Sequence, residues 1–151
     1  MSLCLASEQR ATMERHGETT YPHEGCGLLI GRLNGEEIAV MDVRTVDNAR
    51  EDARHNRYTI APADVLRAER AAEDRGLDLV GFFHSHPDAP AEPSNYDLAH
   101  ASWPGFAYVI VAVRNGRAVE TRAWRLRPDR SRFDEMNVVR SETNPEGGIA
   151  P

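Results

Sequence analysis

Apolar and polar residues along this chain change their period several times, and each change marks an element. Residues 5 to about 19 set Leu5, Met13 and scattered alanines at loosely helical spacing in a polar background, which predicts a modest amphipathic helix. Tyr21-Pro22 stops it, because the residue before a proline disfavours helical dihedrals. The runs 26–33 and 37–46 flank Asn34-Gly35, whose readiness for positive φ predicts a hairpin with a two-residue turn. Residues 47–58, DNAREDARHNRY, are charged and aperiodic and predict a loop. Pro62 then opens a helix that carries Val65, Leu66 and several alanines to Gly76, a fitting residue for a helix C-terminus.

An apolar run, LVGFF at 79–83, predicts a strand from 79 to 85. Pro87, Pro90 and Pro93 keep the following loop extended, and Ser94 starts a short helix to about Ser102. Residues 107–113 pair with 118–126 across Asn115-Gly116, and 133–139 add a last strand after a Pro128-Asp129 turn. No internal repeat is present. Strands alternating with helices, with hairpins towards both ends, predict an α/β fold: a mixed β-sheet with flanking helices. The ending SETNPEGGIAP lacks apolar periodicity, so residues 1–139 are expected to form one domain and 140–151 a disordered tail.

Composition narrows the function classes. A chain of 151 residues with 40% hydrophobic and 28% charged residues can bury one real core. The net charge of -6 gives no overall basic footprint for nucleic acid, although Arg122, Arg125, Arg127, Arg130 and Arg132 bunch late in the chain. That bunching is expected to line one exposed strand. All 18 basic residues are arginine, so no lysine ammonium is available as an isopeptide acceptor. Two cysteines, Cys4 and Cys26, do not make a disulfide framework, and without a CxxC pair they exclude a Cys-rich zinc module. The lack of an apolar leader or membrane-length run predicts a cytoplasmic protein with no membrane partner.

The stretch 84–97, HSHPDAPAEPSNYD, carries the candidate chemistry. On a strand, side chains two apart share a face, so His84 and His86 converge and could hold one metal ion. An HxH pair alone is weak evidence, since such histidines are more often structural. Asp97 would add an oxygen ligand, giving three protein ligands and an open fourth position, the arrangement of a catalytic zinc. Ser94 and Asp97 also fit a helix capping box, and both readings can hold together. Ser85 points to the other face as a structural hydrogen-bonder. His100 is expected at the surface or behind the ligands, His23 and His55 have no assigned partner, and Cys26 sits in an apolar strand as a packed thiol. Trp103 and Tyr108 are most simply core aromatics.

Glu24 followed by GCGLLIG, then HSHP, seven residues from Pro87 to Pro93, and Ser94, Asn95, Tyr96 and Asp97 resemble the JAMM (MPN+) metalloprotease family. That family's pattern is a glutamate, then H-[ST]-H, seven residues, S, two residues and D. Every position is filled, and the order of elements is similar over about residues 5–138. The resemblance implies a JAMM/MPN domain of cytidine-deaminase-like architecture. It makes His84, His86 and Asp97 the ligands of one zinc ion per chain. Glu24 becomes the acid/base that assists attack of zinc-bound water, and Ser94 a hydrogen-bond donor beside the metal.

Family members hydrolyse amide bonds at the C-terminal glycine of ubiquitin or ubiquitin-like proteins. With only about a dozen residues at 47–58 and under ten between Asp97 and Phe106, this chain resembles the compact prokaryotic branch. The implied partner is a small ubiquitin-fold or sulfur-carrier protein ending in Gly-Gly. Three alternatives stand beside it: a general small-peptide metallopeptidase, a non-catalytic scaffold of the same fold, and the RadC family, which adds a DNA-binding helical region not evident here.

Overall fold

A computed structural model describes residues 1–141, with the backbone of Thr143–Asn144 and Gly148–Ile149. Seven strands of one closed sheet and three helices follow in the order β1 (Ser2–Leu5), α1 (Ser7–Thr20), β2 (Cys26–Asn34), β3 (Glu37–Val46), α2 (Pro62–Asp74), β4 (Asp78–Pro87), α3 (Asn95–His100), β5 (Ala107–Arg114), β6 (Arg117–Leu126) and β7 (Phe133–Arg140), after which two two-residue strands pair as a separate sheet. The strands close in the order β1-β3-β2-β4-β5-β6-β7, with β7 returning to β1. Pairing is parallel for β1 with β3, β1 with β7 and β4 with β5, and antiparallel elsewhere, so the sheet is mixed as expected.

The predicted first helix begins later than its pattern suggested. Leu3 and Leu5 are buried in β1 and their neighbours are less so, a period of two that four residues hardly reveal. Helix α1 starts after Ala6, whose N–H donates to Gln9 Oε1 at 2.8 Å. The first hairpin turns at residues 35–36 instead of 34–35, with Gly35 at φ 62° and Asn34 still paired to Glu37. Asn115 and Gly116 turn the other hairpin as expected, both at positive φ (50° and 83°). Helix α3 ends at His100, short of Ser102, and β7 runs to Arg140, one residue past the expected boundary. Of the expected disordered tail at 140–151, Arg140 ends β7 and Thr143–Asn144 pairs antiparallel with Gly148–Ile149, while residues 142, 145–147, 150 and 151 lie outside the described residues.

One core fills the α1 side with Leu3, Met13, Leu29, Phe83, Val109 and Val111. A second lies beneath α2 with Leu28, Ile30, Ala68, Ala72, Phe82 and Tyr108. An irregular register between Leu29 and Ile30 lets β4 send Phe82 to the second core and Phe83 to the first. Gly81 is needed there, since a Cβ would stand 2.4 Å from the Ala107 carbonyl oxygen. The alternation then carries His84 and His86 to the Phe82 face and Ser85 to the α1 face, against Gly17.

Candidate metal centre and acid/base site

Strand β4 is held at His84 from both sides, by Cys26 of β2 and by Ile110 of β5. This fixes the backbone from which the two imidazoles project. His84 Nε2 lies 3.0 Å from His86 Nε2, and Asp97 Oδ2 lies 3.2 Å and 3.1 Å from them. Asp97 reaches this point from the first turn of α3. Its N–H donates to Ser94 Oγ at 3.0 Å, and its Oδ2 accepts from the Ser94 N–H at 2.9 Å, completing the capping box. The Ser94 hydroxyl accepts in this contact and keeps its own proton to donate.

His86 Nδ1 donates to the Pro90 carbonyl at 2.7 Å, which turns its Nε2 to face the triangle. Burial lowers the affinity of His84 for a proton, with the nearby Asp97 opposing that effect. Burial also opposes ionisation of Asp97, but the two histidines and the Ser94 N–H outweigh it and hold the carboxyl well below its ordinary range. Without a cation the two Nε2 atoms hydrogen-bond Asp97 Oδ2; a cation in the triangle would take two imidazole lone pairs and the carboxylate oxygen in place of those protons. Donors around a tetrahedral zinc at its usual ligand distances stand about 3.3 Å apart, so the triangle suits that ion.

Glu24 stands at the entrance to β2 with only 2% of its surface exposed. Its Oε1 is buried with no hydrogen-bond partner among the described residues. A carboxylate oxygen of Glu24 and ring nitrogens of His84 and His86 lie within 4.8 Å of one another. Glu24 could thus be counted with the metal donors, but the shorter Asp97 contacts make Asp97 the better third ligand. Burial, the leading cause, pushes the Glu24 carboxyl up to about 8, with His86 opposing and Asp97 reinforcing the rise. A carboxyl with a free oxygen and that proton affinity is suited to taking up and releasing a proton near neutral pH.

Two openings flank the triangle. A cavity of about 510 Å³ meets it at His84 and Asp97 and is lined by Arg50, Tyr58, Tyr96, Trp103 and Phe133. A groove of about 270 Å³ meets it from the other side, between Glu24, His86 and Ser94 and the walls His55, Pro90 and Pro93. Trp103 therefore faces the cavity as well as the core, whereas Tyr108 is buried as expected. His100 is exposed, stacked on Tyr96 at 3.9 Å, and stays out of the donor triangle. Ser85 bonds structurally, its Oγ accepting from the Gly25 N–H at 2.7 Å. Cys26 is buried and its thiol is pushed up to about 12, chiefly by burial, which makes it inert.

Four of the five late arginines have partners for their side chains. Arg122 pairs with Glu92 and Glu135, Arg127 and Arg132 pair with Asp134, and Arg125 donates to the Gly105 carbonyl. Sequence reasoning missed Tyr58, whose ring stacks on His84 with centroids 4.5 Å apart and planes 22° apart. It lies in the aperiodic run 47–58, where no spacing could single it out. Among the described residues, no helix is long and apolar enough to cross a membrane.

Residues 7–127 match the family described as prokaryotic homologs of the JAB domain. The chain is 34% identical to a desampylase of Haloferax volcanii over 72% of its own length and 78% of the relative's. It is 28% identical to a CysO-cysteine peptidase of Mycobacterium tuberculosis over 91% of each. A solved structure from Desulfitobacterium hafniense superposes with a TM-score of 0.80 at 29% identity, covering 93% of both chains. The chain belongs to the prokaryotic JAB-domain branch of the JAMM/MPN family and is an enzyme of its peptidase type.

Proposed function

We propose that the protein is a zinc-dependent peptidase or isopeptidase that hydrolyses the amide bond after the C-terminal Gly-Gly of a small ubiquitin-fold or sulfur-carrier protein. One observation carries this reading: the triangle of His84, His86 and Asp97 converges beside Glu24, whose buried Oε1 has no hydrogen-bond partner among the described residues. The names of the relatives, a desampylase and a CysO-cysteine peptidase, support a protein-conjugate substrate.

His84, His86 and Asp97 would hold the zinc, which supplies Lewis acidity and a water of pKa near about 7. Glu24 Oε1 then takes a proton from the attacking water and delivers it to the departing amine. The Ser94 O–H donates to the carbonyl oxygen as charge grows on it, a contact whose loss typically costs about 10²-fold in turnover. Small glycines let the scissile carbonyl approach between the cavity and the groove. The short segments at 47–58 and 98–105 leave little extra surface to grip full ubiquitin, which favours a small carrier.

Turnover should be compared on a carrier extended beyond Gly-Gly, a matching free peptide and a linked ubiquitin dimer, with intact-mass readout. The carrier fusion is expected to be cut best, and only by protein with Glu24 intact; Glu24→Gln should keep its zinc and lose most turnover. Equal cutting of the free peptide would make a general small-peptide metallopeptidase the better account. Preference for the dimer would point to deubiquitination, and zinc loss in Glu24→Gln would make Glu24 a ligand.

A further inference from the structure

Asn48 sits in the charged run 47–58, yet its amide uses its full hydrogen-bonding capacity on backbone groups. Its Nδ2 donates to the Glu24 carbonyl at 3.2 Å and to the Arg57 carbonyl at 3.0 Å. Its Oδ1 accepts from the N–H groups of Arg50 and Thr59, each at 3.1 Å. Two acceptors on the nitrogen and two donors on the oxygen leave one orientation of the amide. The same segment also receives the Glu24 N–H, which donates to the Arg54 carbonyl at 2.6 Å, and the Ala49 N–H donates to the Thr59 carbonyl at 2.8 Å.

These bonds join two parts of the site that no strand pairing joins. On one side is the backbone of Glu24, two residues before β2 begins. On the other is the 57–59 segment, which lays Tyr58 flat on His84. His84 needs such a support. His86 has Pro90 to orient its ring, whereas His84 Nδ1 is buried with no partner among the described residues. Metal-binding histidines are normally oriented by a hydrogen bond from the other ring nitrogen, and at His84 the tyrosine face takes that place.

We infer that Asn48 is a positioning residue for the reaction: its amide sets Glu24 against the metal donors and holds Tyr58 on His84. The inference rests on the metallopeptidase reading above and adds to it the device that keeps acid/base and ligand in register. Asn48→Asp is the sharpest perturbation, because it keeps the shape while turning the two donors to Glu24 and Arg57 into acceptors. Asn48→Ala serves as the second variant, and Tyr58→Ala tests the far end of the contact.

The first measurement is the rate at which a chromogenic chelator strips zinc from the purified, loaded protein. Asn48→Asp and Tyr58→Ala should each speed release by about tenfold, the scale of lost outer-shell support, and the double variant should be no faster than the faster single. The second is the kinetic split on the carrier fusion. In Asn48→Asp, kcat should fall about tenfold or more while KM moves by less than about threefold, because Asn48 itself lines neither the cavity nor the groove. Wild-type zinc release and kcat in a folded Asn48→Asp would overturn the inference, as would additive effects of Asn48→Asp and Tyr58→Ala on release. If the wild type itself neither holds zinc nor cuts the fusion, the metallopeptidase reading fails. If it does both and the Asn48 variants match it, only the role of Asn48 falls.

Discussion

Replacing Glu24 by glutamine should make the metal-free protein more stable in alkali, a result opposite to that of most substitutions at buried sites. The carboxyl is 2% exposed, and burial raises it from an ordinary 4.5 to about 8. In the unfolded chain Glu24 ionises near the ordinary value, so between the two values folding must take up a proton. A raised carboxyl is thus a penalty that is absent at acid pH, grows as pH rises, and is complete above the folded value. At about 1.4 kcal/mol per pH unit it reaches about 3 kcal/mol at pH 7 and about 4 to 5 kcal/mol at pH 8.5. The amide of Glu24→Gln is neutral throughout but buries donors that lack partners, at a cost of about 1 to 3 kcal/mol. The expected net gain for the variant is about 2 kcal/mol at pH 8.5, falling to zero or below at pH 5. Urea unfolding with excess chelator at pH 5, 7 and 8.5 measures it, and titrating groups not coupled to Glu24 cancel in the difference between the two proteins. A difference that stays flat with pH, or a wild-type advantage that grows with pH, would refute the burial argument.

Three further outcomes are expected. Zinc content of the purified protein, read by elemental analysis, should be one equivalent per chain and fall sharply for His84→Ala, His86→Ala or Asp97→Ala; full retention by all three would remove the metal centre. Iodoacetamide at pH 8 should leave Cys26 unmodified in the native protein, since its thiol is buried and pushed up to about 12, and should label it only after denaturation. Gly81→Ala should cost about 3 kcal/mol or more in denaturant unfolding, because its Cβ would meet the Ala107 oxygen at 2.4 Å and force β4 from β5; a cost under about 1 kcal/mol would show that the pair gives way easily.

The donors were legible in the sequence because each obeys a local rule. A strand's period of two brings His84 and His86 together, and the capping box that starts α3 aims Asp97 at them. Asn115-Gly116 declared its turn through the positive φ that both residues adopt. Strand β1 was hidden because its partners Glu37 and Asn137 are far along the chain and its four residues are too few to display a period. The first hairpin slipped by one residue because Gly35 alone supplies the positive φ there, so Asn34 stays in the ladder. Asn48 and Tyr58 were unreadable for another reason. A side chain bonded to distant backbone, or a ring laid on a distant imidazole, imposes no spacing on its own neighbours.

The site's parts rest on separate supports, and this separates the ways it can fail. His84 and His86 stand on a strand locked between β2 and β5, and Asp97 on a helix turn that caps itself through Ser94. Glu24 precedes the first paired residue of β2 and depends for its backbone on Asn48 and Arg54 in the loop. On the proposed metallopeptidase reading, damage to β4 or α3 would therefore strike metal affinity first, whereas damage to the 47–59 segment would strike Glu24 and reach the metal donors through Tyr58. The loop that holds Pro90 to His86 is itself strapped to β6, by Arg122 on Glu92 and by Trp124 Nε1 donating to the Ala91 carbonyl at 3.0 Å. The bunched arginines thus join the site at one point: Arg122 steadies the loop whose Pro90 carbonyl keeps His86 Nε2 turned towards His84 and Asp97.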